Sequence, residues 1–262
     1  MNILKKIAGI ACAFMMIGAA AAHAQQNDFE RILKEKVVRI GAVDSFPSYR
    51  KNLSTGKWDG IMPEIAELVF GSIGVKVEYV DAEWSSAAAG LQSGRFDIIG
   101  GFSATPARAL VVSFTDELAR TDIGVASVDP AKPSVQSWAE INNPNVSIAV
   151  ADGSGSMRTA ERMAPKAKIV ALKNEAAAIM EIESKRADYF LTNSSSLSRY
   201  QASRGADKVK LFYPAPVVYQ PVVFAARKDQ DDLIKWLNIA FGYYVSDGSI
   251  PSIRQKYLTM AN

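Results

Sequence analysis

The sequence predicts an α/β protein with two lobes, each built on a helix-flanked, mostly parallel sheet and joined to the other by two extended crossings. Short β-branched runs alternate with segments of helical period over most of the 262 residues, a pattern typical of such sheets. The alternation stops at 129–144, where three prolines and two adjacent asparagines lie, and then starts anew. A second proline-rich stretch, at 214–221, precedes the last strand. We therefore expect hinge crossings near 121–127 and 220–226.

The first unit shows both periods clearly. Apolar side chains recur at helical spacing between Ile61 and Val69, whereas 75–80 alternates as a strand does. The predicted elements are a strand at 37–43, a helix at 60–72, a strand at 75–80, a helix at 85–93 and a strand at 96–100.

The second unit repeats this order before the chain returns to the first. Its predicted elements are a strand at 147–150, a helix ending near 164, a strand at 168–172, a helix at 174–185 and a strand at 187–191. A strand at 222–226, an amphipathic helix through Ile234 and Phe241 and a short helix at 253–258 follow. The first lobe is accordingly expected to comprise 25–124 and 223–262, and the second lobe 125–222.

The first 24 residues have the pattern of a secretory signal peptide. Two lysines precede an apolar segment at 7–17, and Ala-His-Ala at 22–24 fits a small-x-small cleavage site. A buried N-terminal helix is the alternative, but no acidic residue precedes Asp28, which favours export. We expect a mature chain that begins at Gln25 and works in the periplasm.

Cleavage there would remove the one cysteine and the one histidine, Cys12 and His23. Disulfides, thiol nucleophiles, Ser-His-Asp triads and zinc sites with cysteine or histidine ligands would then be excluded. The removed segment holds two of the 30 basic residues and none of the 27 acidic ones, so the formal net charge falls from +3 to +1. A chain so nearly neutral predicts no nucleic-acid partner. We also predict no cofactor, no metal site and a monomer.

A Gly/Ser loop follows the predicted strand at 147–150 and leads into a helix at Ser154, Gly155 and Ser156. Unpaired amides and the positive end of the helix dipole attract anions there. The lysine of a Walker loop and the third glycine of a dinucleotide fingerprint are both missing, so a carboxylate is a better candidate than a polyphosphate. Simple helix capping by Ser154 or Ser156 explains the same residues.

A second polar loop follows the predicted strand at 96–100. Gly101 allows close approach of a ligand to the backbone, Ser103 and Thr105 supply hydroxyls, and Arg108 can bind a carboxylate through two parallel hydrogen bonds. In the alternative interpretation Thr105 caps a short helix, and Arg108 is solvated on its first turn.

Several segments together resemble the bacterial extracellular solute-binding proteins of family 3, which serve ABC importers of polar amino acids. The matching motifs are Val-Arg-Ile-Gly at 38–41, Ser-Gly-Arg-Phe-Asp at 93–97, Ser-x-Thr-x-x-Arg at 103–108 and the C-terminal stretch 223–258. The resemblance implies the type II periplasmic-binding-protein fold, whose two lobes close around a small carboxylate-bearing ligand. It also implies an ABC permease in the inner membrane as partner.

The resemblance further implies roles for single residues. Arg108 would bind the ligand carboxylate with help from Ser103 and the loop 154–156, and the Gly101 carbonyl would accept a hydrogen bond from an ammonium group. Phe46 and Trp84 would sandwich the body of the ligand. Where the family usually has an aspartate for the ammonium group, this chain has Asn193, which accepts a hydrogen bond but supplies no charge.

The leading hypothesis is a binding protein without catalytic residues that delivers an amino acid or related carboxylate to a permease. The alternative is a lyase of the cyclohexadienyl dehydratase type on the same scaffold, in which a carboxyl group acts as general acid. The resemblance gives that role to the position of Asn193, and an amide cannot donate the proton. A sensor domain would differ from the leading hypothesis only in its partner.

Overall fold

The computed structural model describes residues 27–259, so the predicted signal peptide and Gln25 lie outside the described residues. The elements up to the first crossing are α1 Asp28–Glu35, β1 Val37–Ala42, β2 Arg50–Lys51, β3 Trp58–Asp59, α2 Ile61–Gly71, β4 Lys76–Asp81, a 3₁₀ turn at Trp84–Ser86, α3 Ala87–Gln92, β5 Ile98–Gly100, α4 Pro106–Ala109 and β6 Val112–Phe114. Those that follow are β7 Ala119–Ser127, α5 Trp138–Ile141, β8 Ser147–Ala151, α6 Gly155–Met163, β9 Lys168–Leu172, α7 Glu175–Glu183, β10 Tyr189–Asn193, α8 Ser194–Arg204, β11 Lys210–Phe212, β12 Val218–Val222, β13 Phe224–Arg227, α9 Asp231–Ser246 and α10 Ser249–Thr259. No helix between residues 27 and 259 combines the length and apolar character needed to cross a bilayer.

The first sheet has the strand order β4-β1-β5-β13-β6. Its strands β4, β1 and β5 are parallel, while β13 runs antiparallel to both of its neighbours. Helices α2, α9 and α10 bury one face of the sheet in a core that includes Ile40, Phe70 and Phe224. The chain therefore returns to the first sheet at β13, as the sequence predicts.

The second sheet has the order β11-β7-β10-β8-β9, and β12 pairs with β7 beside β11. Strands β10, β8 and β9 are parallel, and β7 runs antiparallel to β10. Two apolar clusters cover its faces, one around Trp138 and Ile148 and the other around Phe190 and Leu197. The two lobes are confirmed, whereas both sheets are mixed: the parallel strands pair with antiparallel neighbours through β13 in the first sheet and through β7 in the second.

The crossings between the sheets run side by side. Strands β7 and β12 pair antiparallel from Ala119 with Val222 to Ile123 with Val218. At the edge of the first sheet, the amide of Leu118 donates to the carbonyl of Val222 at 2.9 Å. The first crossing therefore lies before Ala119, a few residues earlier than predicted, because β7 pairs within the second sheet along its whole length.

All the parallel strands of each sheet end at the edge that faces the other lobe. The loops after β1, β4 and β5 in the first lobe approach the loops after β8, β9 and β10 in the second. The carboxyl ends of parallel strands are where open α/β sheets bind ligands. The topology places each of the two polar loops at the carboxyl edge of its own sheet, and the packing of the lobes brings them to opposite walls of one cleft.

Candidate ligand-binding cleft

A polar cavity lies between the two lobes. We call it the cleft, and its lining residues are Ser45, Ser48, Trp84, Gly101, Ser103, Arg108, Gly153, Ser154, Gly155, Ser156, Glu175, Asn193 and Gln220. Eight of the nine residues predicted from the sequence belong to this lining. Phe46 does not, and Ser45, Ser48, Gly153, Glu175 and Gln220 are additions that sequence reasoning missed.

Arg108 reaches into the cleft from the short helix α4. The Thr105 hydroxyl caps that helix by accepting from the Arg108 amide at 3.2 Å, so the capping interpretation is correct for Thr105. The guanidinium is nevertheless partly buried: its Cζ lies 3.8 Å from the centre of the Phe102 ring, and Nη1 donates to the Ser103 carbonyl at 2.9 Å. Nη2 donates across the cleft to the carbonyl of Gly153. Capping and a cleft position therefore occur together.

The Arg108 charge is poorly solvated. Burial, and secondarily the charge of Arg158, lower its pKa to about 10. Among residues 27–259 no carboxylate forms an ion pair with Arg108. A cation held away from water without an acidic partner favours an anionic ligand, because the ligand supplies the missing charge.

The opposite wall is the Gly/Ser loop at the start of α6. The Ser154 hydroxyl accepts from the Met157 amide at 3.0 Å, so Ser154 is the cap of the helix. Gly155 and Ser156 form the first turn, where amides have no acceptor within the helix. These residues also line the cleft, so the cap of the helix and the wall of the cleft are the same loop.

Glycines allow the two walls to meet. A Cβ atom on Gly155 would lie 2.0 Å from Ser103 Oγ, and one on Gly153 would lie 2.4 Å from Ser85 Cα. Gly153 also has a φ of +65°, which an L side chain rarely adopts. The described structure is therefore a closed form, whose tight contact between lobes requires glycine at position 153, where the obstacle is backbone, whereas the atoms nearest to a Cβ on Gly155 belong to the side chains of Ser103 and Gln220.

Asn193 serves as the cap of α8. Its Oδ1 accepts from the Ser196 amide at 3.0 Å, and its Nδ2 donates to the Ser196 hydroxyl at 3.3 Å. The carbonyl oxygen that the sequence suggested for a ligand ammonium group is thus engaged by the backbone, although the residue lines the cleft.

Glu175 supplies a carboxylate close to that position. It lies in the first turn of α7, and the Thr192 hydroxyl donates to its Oε1 at 2.5 Å. Burial raises the pKa of Glu175, against hydrogen bonds from Thr192 and Ser196 and the charge of Arg199. In the sequence Glu175 looks like any acidic residue that follows a helix cap. Its position in the cleft depends on the tertiary fold, so no local pattern predicts it.

Phe46 contacts the second lobe instead of lining the cleft. Its ring lies 3.9 Å from Cζ of Arg199, on α8, and 4.7 Å from Cζ of Arg50, on the same lobe as Phe46. Trp84 does line the cleft and stacks on Phe102 with ring centres 6.3 Å apart. The two predicted aromatic residues are therefore not brought together around one space.

The contact between Arg199 and Phe46 connects the lobes outside the cleft lining, although the charge of Arg199 also acts on Glu175. We expect Arg199→Ala to weaken ligand binding by about two- to thirtyfold, because a cation–π contact worth about 0.5 to 2 kcal/mol would no longer favour the closed form. Titration calorimetry measures the loss. Arg50→Ala is the matched control, since Arg50 contacts the same ring from within one lobe. Equal losses in both variants would contradict a role in closure.

A sequence model of the bacterial extracellular solute-binding proteins, family 3, matches residues 38–260. The chain belongs to this family. This family 3 protein is similar to the L-cystine-binding protein TcyA of Bacillus subtilis (strain 168), with 22% identity over 237 residues that cover 90% of this chain and 86% of TcyA. The cyclohexadienyl dehydratase of Pseudomonas aeruginosa is 23% identical over 243 residues, covering 89% of this chain and 88% of that protein.

Solved structures give the same fold for this family 3 protein. The ancestral amino acid-binding protein AncCDT-1, a precursor of cyclohexadienyl dehydratase, aligns with a TM-score of 0.79 and 29% identity over 88% of this chain and 99% of its own. A Streptococcus pneumoniae substrate-binding protein with bound histidine has a TM-score of 0.78 at 21% identity, covering 89% of this chain and 97% of its own. The type II periplasmic-binding-protein fold is confirmed.

Proposed function

We propose that this protein captures an amino acid or related small carboxylate in the cleft and delivers it to an ABC permease of the inner membrane. The observation that carries the proposal is the Arg108 guanidinium, which lines the cleft without an acidic partner among residues 27–259. Ser103 and the first amides of α6 lie around the same space. A carboxylate bound there would contact both lobes and so favour the closed form.

Binding to the folded state raises its stability, so a thermal-shift screen finds the ligand and calorimetry gives its affinity. The panel contains the twenty amino acids and the dicarboxylates of four to six carbons. The proposal requires saturable binding of at least one member with a stoichiometry near one. A panel in which no member binds would refute it.

Glu175 is the group we propose for a ligand ammonium. The family's aspartate is replaced by Asn193, whose oxygen caps α8, whereas Glu175 is the acidic side chain in the cleft lining. The Ser196 hydroxyl contacts both residues. Compared with the family pattern, the negative charge of the cleft thus lies at the start of α7 and not at the end of β10. A ligand with both a carboxylate and an ammonium group can therefore still be bound through both charges.

Glu175→Gln is expected to weaken binding of an amino acid by about tenfold or more, because a charge-assisted hydrogen bond is lost. The same ligand without its amino group should lose much less. Wild-type affinity should fall on acidification, beginning at a higher pH than an ordinary glutamate would give, since the pKa of Glu175 is raised and the protonated form cannot pair with ammonium.

Calorimetry across pH checks both expectations. Glu181→Gln is the matched control, because Glu181 lies on the same helix and pairs with Arg186. An affinity that stays independent of pH in the wild type, or equal losses in the two variants, would exclude Glu175 as the ammonium partner.

We propose further that the protein works outside the cytoplasm, as a monomer and without catalysis. Its membership of an extracellular family supports the location, and the signal-peptide pattern of the first 24 residues agrees with it. The relatives include the probable amino-acid ABC transporter-binding protein of Haemophilus influenzae, which is 23% identical over 86% of this chain and 85% of its own. That similarity supports a permease as the partner.

A lyase of the dehydratase type is the second candidate. Two observations favour it: the similarity to cyclohexadienyl dehydratase and the raised pKa of Glu175 in the cleft, which is a property of a general acid. Incubation with prephenate or arogenate, followed by an absorbance scan for the aromatic product, separates the candidates. Turnover that Glu175→Gln abolishes would replace the transport proposal.

A further inference from the structure

A second cavity lies next to the cleft, near the point where the chain passes between the lobes at Leu118 and Val222. We call it the hinge-side chamber. Its lining residues are Ser48, Ile61, Met62, Ile65, Gly101, Ser103, Leu118, Thr121, Asn193, Ser195, Gln220, Pro221, Val222, Arg254 and Leu258. Ser48, Gly101, Ser103, Asn193 and Gln220 line both spaces, so the two are adjacent.

Arg254, on α10, is the charged residue of this lining. It is partly buried, and burial lowers its pKa. Within residues 27–259 it makes no hydrogen bond and no ion pair. By contrast Lys256, two residues farther along the same helix, pairs with Glu64 at 2.6 Å. A partly desolvated guanidinium without a partner is unfavourable unless an anion joins it.

The charged side chains in the linings of the cleft and the hinge-side chamber indicate which charges a ligand needs. Their ionisable side chains are Arg108, Glu175 and Arg254, two cations and one carboxylate. The rest of the chamber is apolar or neutral, with Met62, Leu118 and Val222 among its walls. Two acidic groups on one ligand would pair with the two arginines, and an ammonium group would pair with Glu175.

We propose that the hinge-side chamber is an anion subsite in which Arg254 binds a second acidic group of the ligand held by Arg108. The ligand class is an amino acid with an acidic side chain or, if it has no amino group, a dicarboxylic acid. This inference rests on the proposed function, because the ligand must first occupy the cleft. It assigns the specificity for the acidic group to α10, near the C-terminal end of the chain.

The test is calorimetry on the full-length mature protein with matched probes: L-glutamate against L-glutamine, L-aspartate against L-asparagine, and glutarate as an acid without an amino group. We expect wild-type protein to bind at least one acid about tenfold or more tightly than its amide. Arg254→Gln should remove that preference, and Arg254→Lys should keep part of it because the charge remains. Lys256→Gln, the control on the same helix, should retain the preference.

Melting curves without ligand show whether each variant is folded; Arg254 has no partner within residues 27–259, so we expect its replacement to leave the curve unchanged. Equal affinity for acid and amide, or a preference that survives Arg254→Gln, would overturn the anion subsite and leave the proposed function standing. If a neutral or basic amino acid binds more tightly than every acid tested, the anion subsite is likewise overturned and the proposed function stands. Failure of every amino acid and dicarboxylate to bind would overturn the proposed function itself.

Discussion

Replacing Arg108 by alanine is expected to abolish ligand binding while the ligand-free protein keeps nearly the same melting temperature. Truncating one partner of a buried, hydrogen-bonded charge pair costs about 2 to 5 kcal/mol, which is a loss of about thirtyfold to several thousandfold in affinity. Without ligand no such pair exists among residues 27–259, because Arg108 donates only to the carbonyls of Ser103 and Gly153 there. Removing a partly buried cation also removes the desolvation cost that this charge adds to the free energy of the folded state.

Titration calorimetry with the ligand found by screening, together with thermal melting, measures both parts of this expectation. Arg108→Lys should bind weakly, because a single ammonium cannot make two parallel hydrogen bonds to a carboxylate. Arg158→Ala is the control, since Arg158 lies near Arg108 but outside the cleft lining and is half exposed. Undiminished affinity in Arg108→Ala would refute the assignment of the anion site.

Gly153→Ala is expected to reduce ligand affinity by about a hundredfold or more by holding the lobes apart, although Gly153 also lines the cleft and its carbonyl accepts from Arg108. The added Cβ would lie 2.4 Å from the backbone of Ser85 on the other lobe, a distance that real Cβ atoms essentially never show. Because the contact is with backbone, no side chain can move aside, and the lobes must stay farther apart. If only a small fraction of the molecules can adopt the closed form, the apparent affinity falls in proportion to that fraction.

Gly94→Ala is the matched control for this variant. Gly94 has a φ of +66°, against +65° for Gly153, and open space where a Cβ would lie. Both variants should lose about 1 kcal/mol of stability from the same backbone strain, but only Gly153→Ala should lose binding. In small-angle scattering, saturating ligand should reduce the radius of gyration of the wild type and of Gly94→Ala but not that of Gly153→Ala. Contraction of Gly153→Ala to the wild-type radius would contradict the steric argument.

Periodicity predicted the elements that bury one face against a sheet. Helix α2 was expected at 60–72 and occupies Ile61–Gly71, and β4 was expected at 75–80 and occupies Lys76–Asp81. Helix α8, Ser194–Arg204, was missed because its sequence is largely polar and its buried face is reduced to Ser196, Leu197 and Tyr200. Tertiary contacts with β7, β10 and β11, and not a hydrophobic stripe, hold that helix.

The candidate site divides in the same way. Arg108 and the loop around Ser154 follow strands directly, so local motifs predicted them. Glu175 and Arg254 lie on helices far apart in sequence, and nothing local distinguishes them from solvated charges. Phe46 was assigned by analogy to a ligand-facing position, but Arg199 covers its ring. The packing of the two lobes decides which side chains of a loop face the other lobe. Local sequence patterns carry no information about that packing.

The pairing of β7 with β12 has a mechanical consequence. Two separate connections could twist and shear independently, whereas five registered residue pairs couple these strands into one ribbon. Because the chain enters and leaves the second lobe through this ribbon, we expect both strands to move with that lobe as one body when the lobes open and close. One pair of spin labels, placed at the rims of the two lobes, would then suffice to follow the whole working cycle of the molecule.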